Sequence, residues 1–140
     1  MSYLLDSNVV SELRKRERAD PHVREWFTGV TDAELFLSVL TLGELRRGIE
    51  SIRRRDRPRA LALERWFHTL ATHYETRLLP VDQKVADEWG RMNAVSTVPA
   101  IDGLLAATAR VHGLTVVTRS TRDIQRTGAP CLDPFRPGTN

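Results

Sequence analysis

The sequence lacks most of the features that mark secreted, membrane-bound and zinc-binding proteins. A single cysteine, Cys131, cannot form an intramolecular disulfide, and no apolar run approaches the roughly 18 residues of a membrane-spanning helix. The chain does not open on a basic region followed by an apolar stretch, so no signal peptide is expected. The four histidines have no metal-ligand spacing and form no cluster with cysteine. We therefore expect a cytoplasmic protein with no membrane partner.

Several catalytic and nucleotide-binding motifs are also missing. The chain has neither a Gly-x-x-x-x-Gly-Lys-Ser/Thr loop nor a Gly-x-Gly-x-x-Gly motif after a strand. Phosphatases of the haloacid-dehalogenase kind place a second Asp two residues after their nucleophile. The equivalent position after Asp6 is Asn8, which makes that chemistry the weaker alternative.

Lysine is scarce, whereas arginine is abundant. Only Lys15 and Lys84 are lysines among 21 basic residues, and the formal net charge is +3. Arginine forms paired hydrogen bonds with phosphate and carboxylate, so this bias fits nucleic acid or an acidic partner. A genome rich in G and C produces the same bias. The 140 residues, 41% of them hydrophobic, are enough for one domain spanning residues 1–140 with a single core.

Strand patterns alternate with helical patterns along the chain. Short apolar runs at 3–5, 35–38, 78–81, 114–117 and 131–132 are typical of strands, and apolar residues at helical spacing occupy the segments between them. This order predicts an α/β fold with a central parallel sheet covered by helices on both faces. A helical hairpin arm is predicted over about 41–74, with a Thr41–Glu44 capping box at its start. Asp20 and Asp82 are predicted to cap helices, and Gly113 to end one. The tail after about residue 134 should fray.

Acidic residues recur where predicted strands end or predicted helices begin. In a parallel sheet these points share one edge, where ligands bind. The acids are Asp6, Glu44, Asp102 and Asp123. Clustered carboxylates would repel unless a hard cation such as Mg²⁺ or Mn²⁺ joined them, and such an ion would polarise a phosphodiester. Four independent helix caps and surface acids are the alternative, because Asp is a preferred cap.

The hairpin arm carries a basic segment with two interpretations. Between Arg46 and Arg59 lie seven arginines and two acids, which gives a local charge of +5. Such a segment contacts an anionic partner or is a solvated helix end and loop. Charge alone does not choose between them.

Four motifs in order along the chain resemble those of PIN-domain ribonucleases, especially toxins of the VapC and FitB type. The motifs are Leu-Leu-Asp-Ser-Asn-Val-Val-Ser-Glu-Leu at 4–13, Ser-Val-Leu-Thr-Leu-Gly-Glu-Leu-Arg-Arg-Gly-Ile at 38–49, Ile-Asp-Gly-Leu-Leu-Ala-Ala-Thr-Ala at 101–109 and Val-Thr-Arg-Ser-Thr-Arg-Asp at 117–123. The resemblance implies a PIN-like three-layer sandwich and Mg²⁺- or Mn²⁺-dependent endoribonuclease activity. The alternative is a catalytically weak PIN fold that binds RNA or an antitoxin.

The resemblance also implies roles for individual residues. Asp6, Glu44 and Asp102 correspond to the principal metal-site and catalytic acids, and Asp123 to a more variable fourth acid. Two positions depart from the family pattern: Ser120 replaces the usual Asn, and Gly103 replaces a larger apolar residue. Further candidates for contact with substrate or partner are Ser7, Asn8, Arg46, Arg47, Thr118, Arg119 and Ser120. The implied partners are RNA, a small DNA-binding antitoxin protein, and a second copy of the chain in a homodimer or toxin–antitoxin hetero-oligomer.

Overall fold

A parallel sheet lies at the centre of the molecule. The computed structural model describes residues 1–138, and the strands within them are β1 (Tyr3–Leu5), β2 (Leu35–Ser38), β3 (Leu78–Leu79), β4 (Thr115–Val117) and β5 (Cys131–Leu132). They are ordered β3-β2-β1-β4-β5, and every neighbouring pair is parallel. The predicted parallel sheet is therefore confirmed.

Helices connect and cover the strands. They are α1 (Ser7–Leu13), α2 (Pro21–Thr28), α3 (Val39–Arg53), α4 (Arg57–His73), α5 (Gln83–Val95), α6 (Ala100–His112) and α7 (Thr121–Arg126). Short 3-10 turns occupy Arg16–Arg18, Asp32–Glu34 and Glu75–Arg77. None of the helices in residues 1–138 has the length and apolar character needed to cross a membrane.

The sheet is buried on both faces because its side chains alternate between two cores. Tyr3 and Leu5 of β1 pack in one cluster with residues from α1, α2 and α3, whereas Leu4 packs in the other with residues from α5, α6 and α7. All three residues of β1 are buried. A continuous apolar run is therefore what this central strand requires, and the result is the predicted three-layer arrangement.

Several local signals in the sequence correctly marked helix ends. Asp20 accepts hydrogen bonds from the backbone N–H groups of His22 and Val23, and Asp82 accepts one from Val85. Gly113 ends α6 with a φ of 67°, a left-handed conformation that glycine adopts without a steric penalty.

The predicted capping box at Thr41 is wrong. Helix α3 begins at Val39, three residues earlier than a Thr41 cap requires, and the Ser38 hydroxyl accepts a hydrogen bond from the backbone N–H of Leu40. Thr41 is fully buried inside the helix and donates its hydroxyl hydrogen to the carbonyl of Leu5 (3.2 Å). Ser is also the better N-cap of the two residue types.

One strand end also differs from expectation, because β3 ends at Leu79, before Val81. At the start of the tail, Pro134 is buried and Phe135 packs on the core beneath the Arg119 guanidinium. The last two residues of the tail predicted to fray, 139 and 140, lie outside the described residues.

The α3–α4 hairpin is held together by a network of charges. Arg46 and Arg53 of α3 each pair with Glu50 on the same helix and with Glu64 on α4, at distances of 2.7–3.2 Å. Arg46 also lies over the Phe67 ring, 4.7 Å from its centroid. Two arginines of the basic segment are therefore neutralised within the hairpin.

Candidate active site

The chain changes direction across the sheet at β1. From β1 it proceeds to β2 and β3 on one side, then returns to place β4 and β5 on the other. The crevice at the carboxyl ends of the strands beside such a switch is the usual ligand site of an open parallel sheet. Asp6 directly follows β1 and Thr118 directly follows β4.

Asp6 is held at this edge by three neighbours. One carboxylate oxygen accepts a hydrogen bond from the backbone N–H of Ser7 (2.7 Å), and the other accepts one from the Thr118 hydroxyl (2.8 Å). The backbone N–H of Asp6 donates to the carbonyl of Val117 (2.9 Å). Asp6 therefore does cap α1, as the simpler hypothesis holds. Its carboxylate is also fixed between β1 and β4, which a cap alone does not require.

Ser7 and Asn8 in the first turn of α1 organise the acids around them. The Ser7 hydroxyl donates to a carboxylate oxygen of Glu44 (3.0 Å), which joins α1 to α3. The Asn8 amide donates to the Thr118 hydroxyl oxygen (3.3 Å) and accepts a hydrogen bond from the backbone N–H of Arg119 (3.1 Å). Ser7 therefore positions the Glu44 carboxylate, and Asn8 positions the Thr118 hydroxyl and the Arg119 backbone.

Asp102 reveals the electrostatic environment of the edge. It lies in the first turn of α6, and Pro99, not Asp102, is the residue at the cap. Burial raises the pKa of the Asp102 carboxyl, and the negative charges of Asp6, Asp123 and Glu44 raise it further. The other three acids therefore lie near enough to Asp102 to influence its carboxyl.

Asp123 differs from the other three acids. It belongs to α7 and has a cation nearby, the Arg126 guanidinium at 3.7 Å. Asp6, Glu44 and Asp102 make no ion pair with lysine or arginine anywhere in residues 1–138. A partly compensated fourth acid is consistent with a more variable role.

The four acids suit a hard divalent cation by their chemistry. All donors are carboxylate oxygens, which Mg²⁺ and Mn²⁺ prefer. The pKa of Asp102 is raised by burial and by three neighbouring negative charges, and a bound cation would offset that repulsion. In the described part of the chain, no three acidic, histidine or cysteine side chains are grouped closely enough to hold an ion together. Mg²⁺ commonly binds through one or two carboxylates and several waters, so a closed group of three is not required.

Other predicted contact residues occupy varied positions. Arg46 forms ion pairs with Glu50 and Glu64, whereas Arg47 is exposed on α3. The guanidinium of Arg119 lies over Phe135, 3.7 Å from the ring centroid. Ser120 is exposed, and its backbone N–H donates to the Thr118 hydroxyl (3.0 Å). Thr118 thus connects Asp6, Asn8 and Ser120, with no exposed surface of its own.

Two positioning features were missed from the sequence. Thr41 lies one turn before Glu44 and ties α3 to the end of β1 through the carbonyl of Leu5. Gly103, next to Asp102, accommodates the Trp89 indole: a Cβ there would lie 3.0 Å from the indole nitrogen. That nitrogen is buried without a hydrogen-bond partner. A polar residue within an apolar helix stripe was the available signal for Thr41.

Comparison with known proteins identifies the family. The PIN domain family model matches residues 3–129. The chain belongs to the PIN domain family. Toxin FitB of Neisseria gonorrhoeae is 32% identical over 137 residues, which cover 94% of this chain and 97% of the relative. VapC ribonuclease Y4jK of Sinorhizobium fredii is 31% identical over 139 residues, covering 96% and 98%.

A solved structure supports the same assignment. The crystal structure of FitAcB from Neisseria gonorrhoeae superposes with a TM-score of 0.85 at 29% identity, covering 96% of this chain and 99% of the other. The PIN-like fold predicted from the four motifs is therefore confirmed over nearly the full length. The four acids at the sheet edge all lie within the residues that match the PIN domain family.

Proposed function

We propose that the protein is a metal-dependent endoribonuclease, the toxin of a type II toxin–antitoxin pair, acting in the cytoplasm. The observation that carries this proposal is the placement of four acids along the switch-point edge of a PIN domain, where the pKa of Asp102 is raised by burial and further by the negative charges of Asp6, Asp123 and Glu44. Two full-length relatives are a VapC ribonuclease and a FitB toxin. Water is the proposed nucleophile at an RNA phosphodiester.

Asp6, Glu44 and Asp102 would hold Mg²⁺ or Mn²⁺, with Asp123 as a fourth acid. When bound, the cation would stabilise negative charge on the reacting phosphate and lower the pKa of water. The chain's own contribution is orientation. The Thr118 hydroxyl and the Ser7 backbone N–H fix the two oxygens of Asp6, and the Ser7 hydroxyl fixes Glu44. Groups held in this way need little reorganisation during the reaction.

The proposed partner is a small DNA-binding antitoxin that covers the site. Structural relatives support this, since they include FitAB bound to a DNA fragment, with a TM-score of 0.82 at 28% identity, and DNA-bound VapBC from Salmonella typhimurium, with a TM-score of 0.71 at 26% identity. A homodimer or a toxin–antitoxin hetero-oligomer is the proposed assembly. The exposed Arg47, Arg119 and Ser120 remain proposed contacts with RNA or antitoxin.

Cleavage of RNA by purified, partner-free protein tests the nuclease. With Mg²⁺ or Mn²⁺ added, the parent should cleave, and chelator should stop it. Asp6→Asn should reduce cleavage by more than about a hundredfold, because even residues that only support a metal ligand contribute 10- to 100-fold. Asparagine still caps α1, so the variant should fold.

Glu50→Gln is the matched control, since it removes one acid from the hairpin, away from the sheet edge. It should cleave like the parent. An Asp6→Asn protein as active as the parent would contradict the site. RNA retention without cleavage by the parent would favour a catalytically weak binding protein.

A further inference from the structure

A groove extends from the acidic edge along α1 and α4. Its inner part is a cavity of about 260 Å³ that reaches Ser7, Asn8 and Glu44, and its outer part is a cavity of about 610 Å³ bordered by Lys15 and Arg18. The two parts share four lining residues, Arg14, Arg59, Leu63 and Trp66. They therefore adjoin one another and form a groove that begins beside Glu44, the one of the four acids that lines it.

The outer part of the groove is positively charged. No acidic residue lines it, although Lys15 pairs with Glu12 on the same turn (3.1 Å). Arg14, Arg18 and Arg59 form no ion pair with a carboxylate in the described part of the chain. These charges remain available to an anionic ligand, unlike those of Arg46 and Arg53 within the hairpin.

The groove also contains an aromatic side chain, that of Trp66. Trp66 is half-buried, lines both parts of the groove and has the Arg14 guanidinium 5.9 Å from its ring centroid. Proteins that hold single-stranded nucleic acid combine basic side chains along the backbone with aromatic rings on which bases stack. This groove has both elements beside a proposed phosphodiesterase site.

We propose that the groove binds the single-stranded RNA segment that flanks the scissile phosphate. Arg14, Arg18 and Arg59 contact phosphates, and Trp66 stacks against a base. Arg14 lies seven positions after Ser7, or about 10 Å along α1, so the groove holds neighbouring nucleotides and not the reacting phosphate itself. The inference rests on the proposed ribonuclease function and adds to it the location of the flanking strand. The positive charge of the outer groove and its contact with Glu44 favour RNA over a protein segment.

Salt-dependent binding tests the phosphate contacts without catalysis. A labelled single-stranded RNA oligonucleotide is titrated into the parent protein in chelator, at a series of salt concentrations, with fluorescence anisotropy as the readout. Arg14→Gln/Arg59→Gln should weaken binding. It should also make the plot of log K against log salt shallower by about 1.4, since each phosphate contact on a single strand contributes about 0.7.

Arg54→Gln/Arg55→Gln is the charge-matched control, because both residues are exposed in the turn that joins α3 to α4, outside the groove. It should keep the parent's slope. An equal loss of slope in both double variants, or no loss in the groove variant, would overturn the proposal.

Tryptophan emission tests the stacking contact. The chain has three tryptophans, and RNA should quench the emission of Trp66 when a base stacks on it. Trp66→Phe should lose most of the quenching and keep the aromatic packing, whereas Trp26→Phe, at a buried position in the core, should keep the quenching. Quenching that persists in Trp66→Phe would overturn stacking at this residue.

Kinetics separate this inference from the proposed function. In Mg²⁺, Arg14→Gln/Arg59→Gln should raise KM for a short single-stranded substrate and leave kcat largely unchanged, because the substitutions are remote from the reacting phosphate. An unchanged KM together with a weakened antitoxin complex would assign the groove to the protein partner and overturn the RNA assignment. A parent that binds RNA through the groove without cleaving it would instead refute the nuclease and retain the groove.

Discussion

The sheet edge and the α3–α4 hairpin both contain several acidic residues. Arginines neutralise the acids of the hairpin, whereas Asp6 and Glu44 at the edge receive hydrogen bonds from neutral groups. In the hairpin, Glu50 and Glu64 are each contacted by Arg46 and Arg53. At the edge, Asp6 and Glu44 are oriented by neutral hydroxyl and N–H groups, which position a carboxylate without cancelling its charge. One region stabilises a helix pair, whereas the other retains negative charge.

The pKa values of the two regions move in opposite directions. Hydrogen bonding from Arg53 is the main cause that lowers the pKa of Glu50 to about 2. Burial and three neighbouring acids raise the pKa of Asp102. A fold that maximised its own stability would not place a half-buried acid near three other acids, so we expect the edge to be where stability is given up for the proposed function.

Removal of the hydroxyl that orients Asp6 should strongly reduce RNA cleavage, although less than a change of Asp6 itself. Thr118→Val keeps the side-chain volume and removes the donor to Asp6 and the acceptor for Asn8 and Ser120. Because supporting contacts of this kind contribute 10- to 100-fold to metal affinity or activity, RNA cleavage should fall by about that factor. Thr121→Val, a change of the same type in α7, should have a smaller effect. Equal activities would mean that the hydroxyl has no orienting role.

Features set by neighbouring residues can be predicted from this sequence, whereas contacts between distant residues cannot. Strand and helix patterns are local, so the alternation that gave the sheet was readable, as were the caps at Asp20 and Asp82. The Thr118–Asp6 hydrogen bond joins residues 112 positions apart, and the Arg46–Glu64 pair crosses the hairpin. No local pattern encodes either contact. The composition of the basic segment therefore predicts its charge but not the carboxylates that pair with its arginines.

Local patterns also failed where two residues were chemically similar. Ser38 and Thr41 both have capping side chains, and the buried contact of Thr41 with β1 accompanies a start of α3 at the earlier residue.

Asp6 follows β1, and Asp102 and Asp123 lie in the first turns of α6 and α7, as predicted. Glu44 instead lies in the second turn of α3, because that helix begins at Val39. The spacing of the four acids in sequence contains no information on how closely the carboxylates approach each other, since that distance depends on side-chain orientation at the assembled edge.

The stability change on neutralising Asp102 should be smaller, and it can be measured without RNA. Since the charged form of this half-buried carboxyl is disfavoured, Asp102→Asn should unfold in chelator at the same or a higher temperature than the parent. Mn²⁺ should raise the midpoint of the parent more than that of the variant, by mass action on the folded state. Asp102→Ala serves as a second variant that cannot hydrogen-bond. If both variants melted well below the parent in chelator and Mn²⁺ stabilised all three equally, Asp102 would be a structural residue.

The smallest predicted effect is the acid dependence of the hairpin. The pKa of Glu50 is lowered from 4.5 to about 2 in the folded protein, so its contribution to stability is fully present above pH 4.5 and is lost as the pH falls through 2. Glu50→Gln should therefore lower the thermal midpoint slightly at pH 6, and the difference from the parent should disappear near pH 2. High salt should reduce the difference at pH 6, because the pairs are exposed and screened. Glu75→Gln, at an exposed acid without an ion pair in residues 1–138, controls for the general effect of charge and should not reproduce the acid-dependent difference. A Glu50→Gln midpoint that matched the parent throughout this range would mean that the network does not stabilise the hairpin, and the contrast with the sheet edge would then rest on the edge alone.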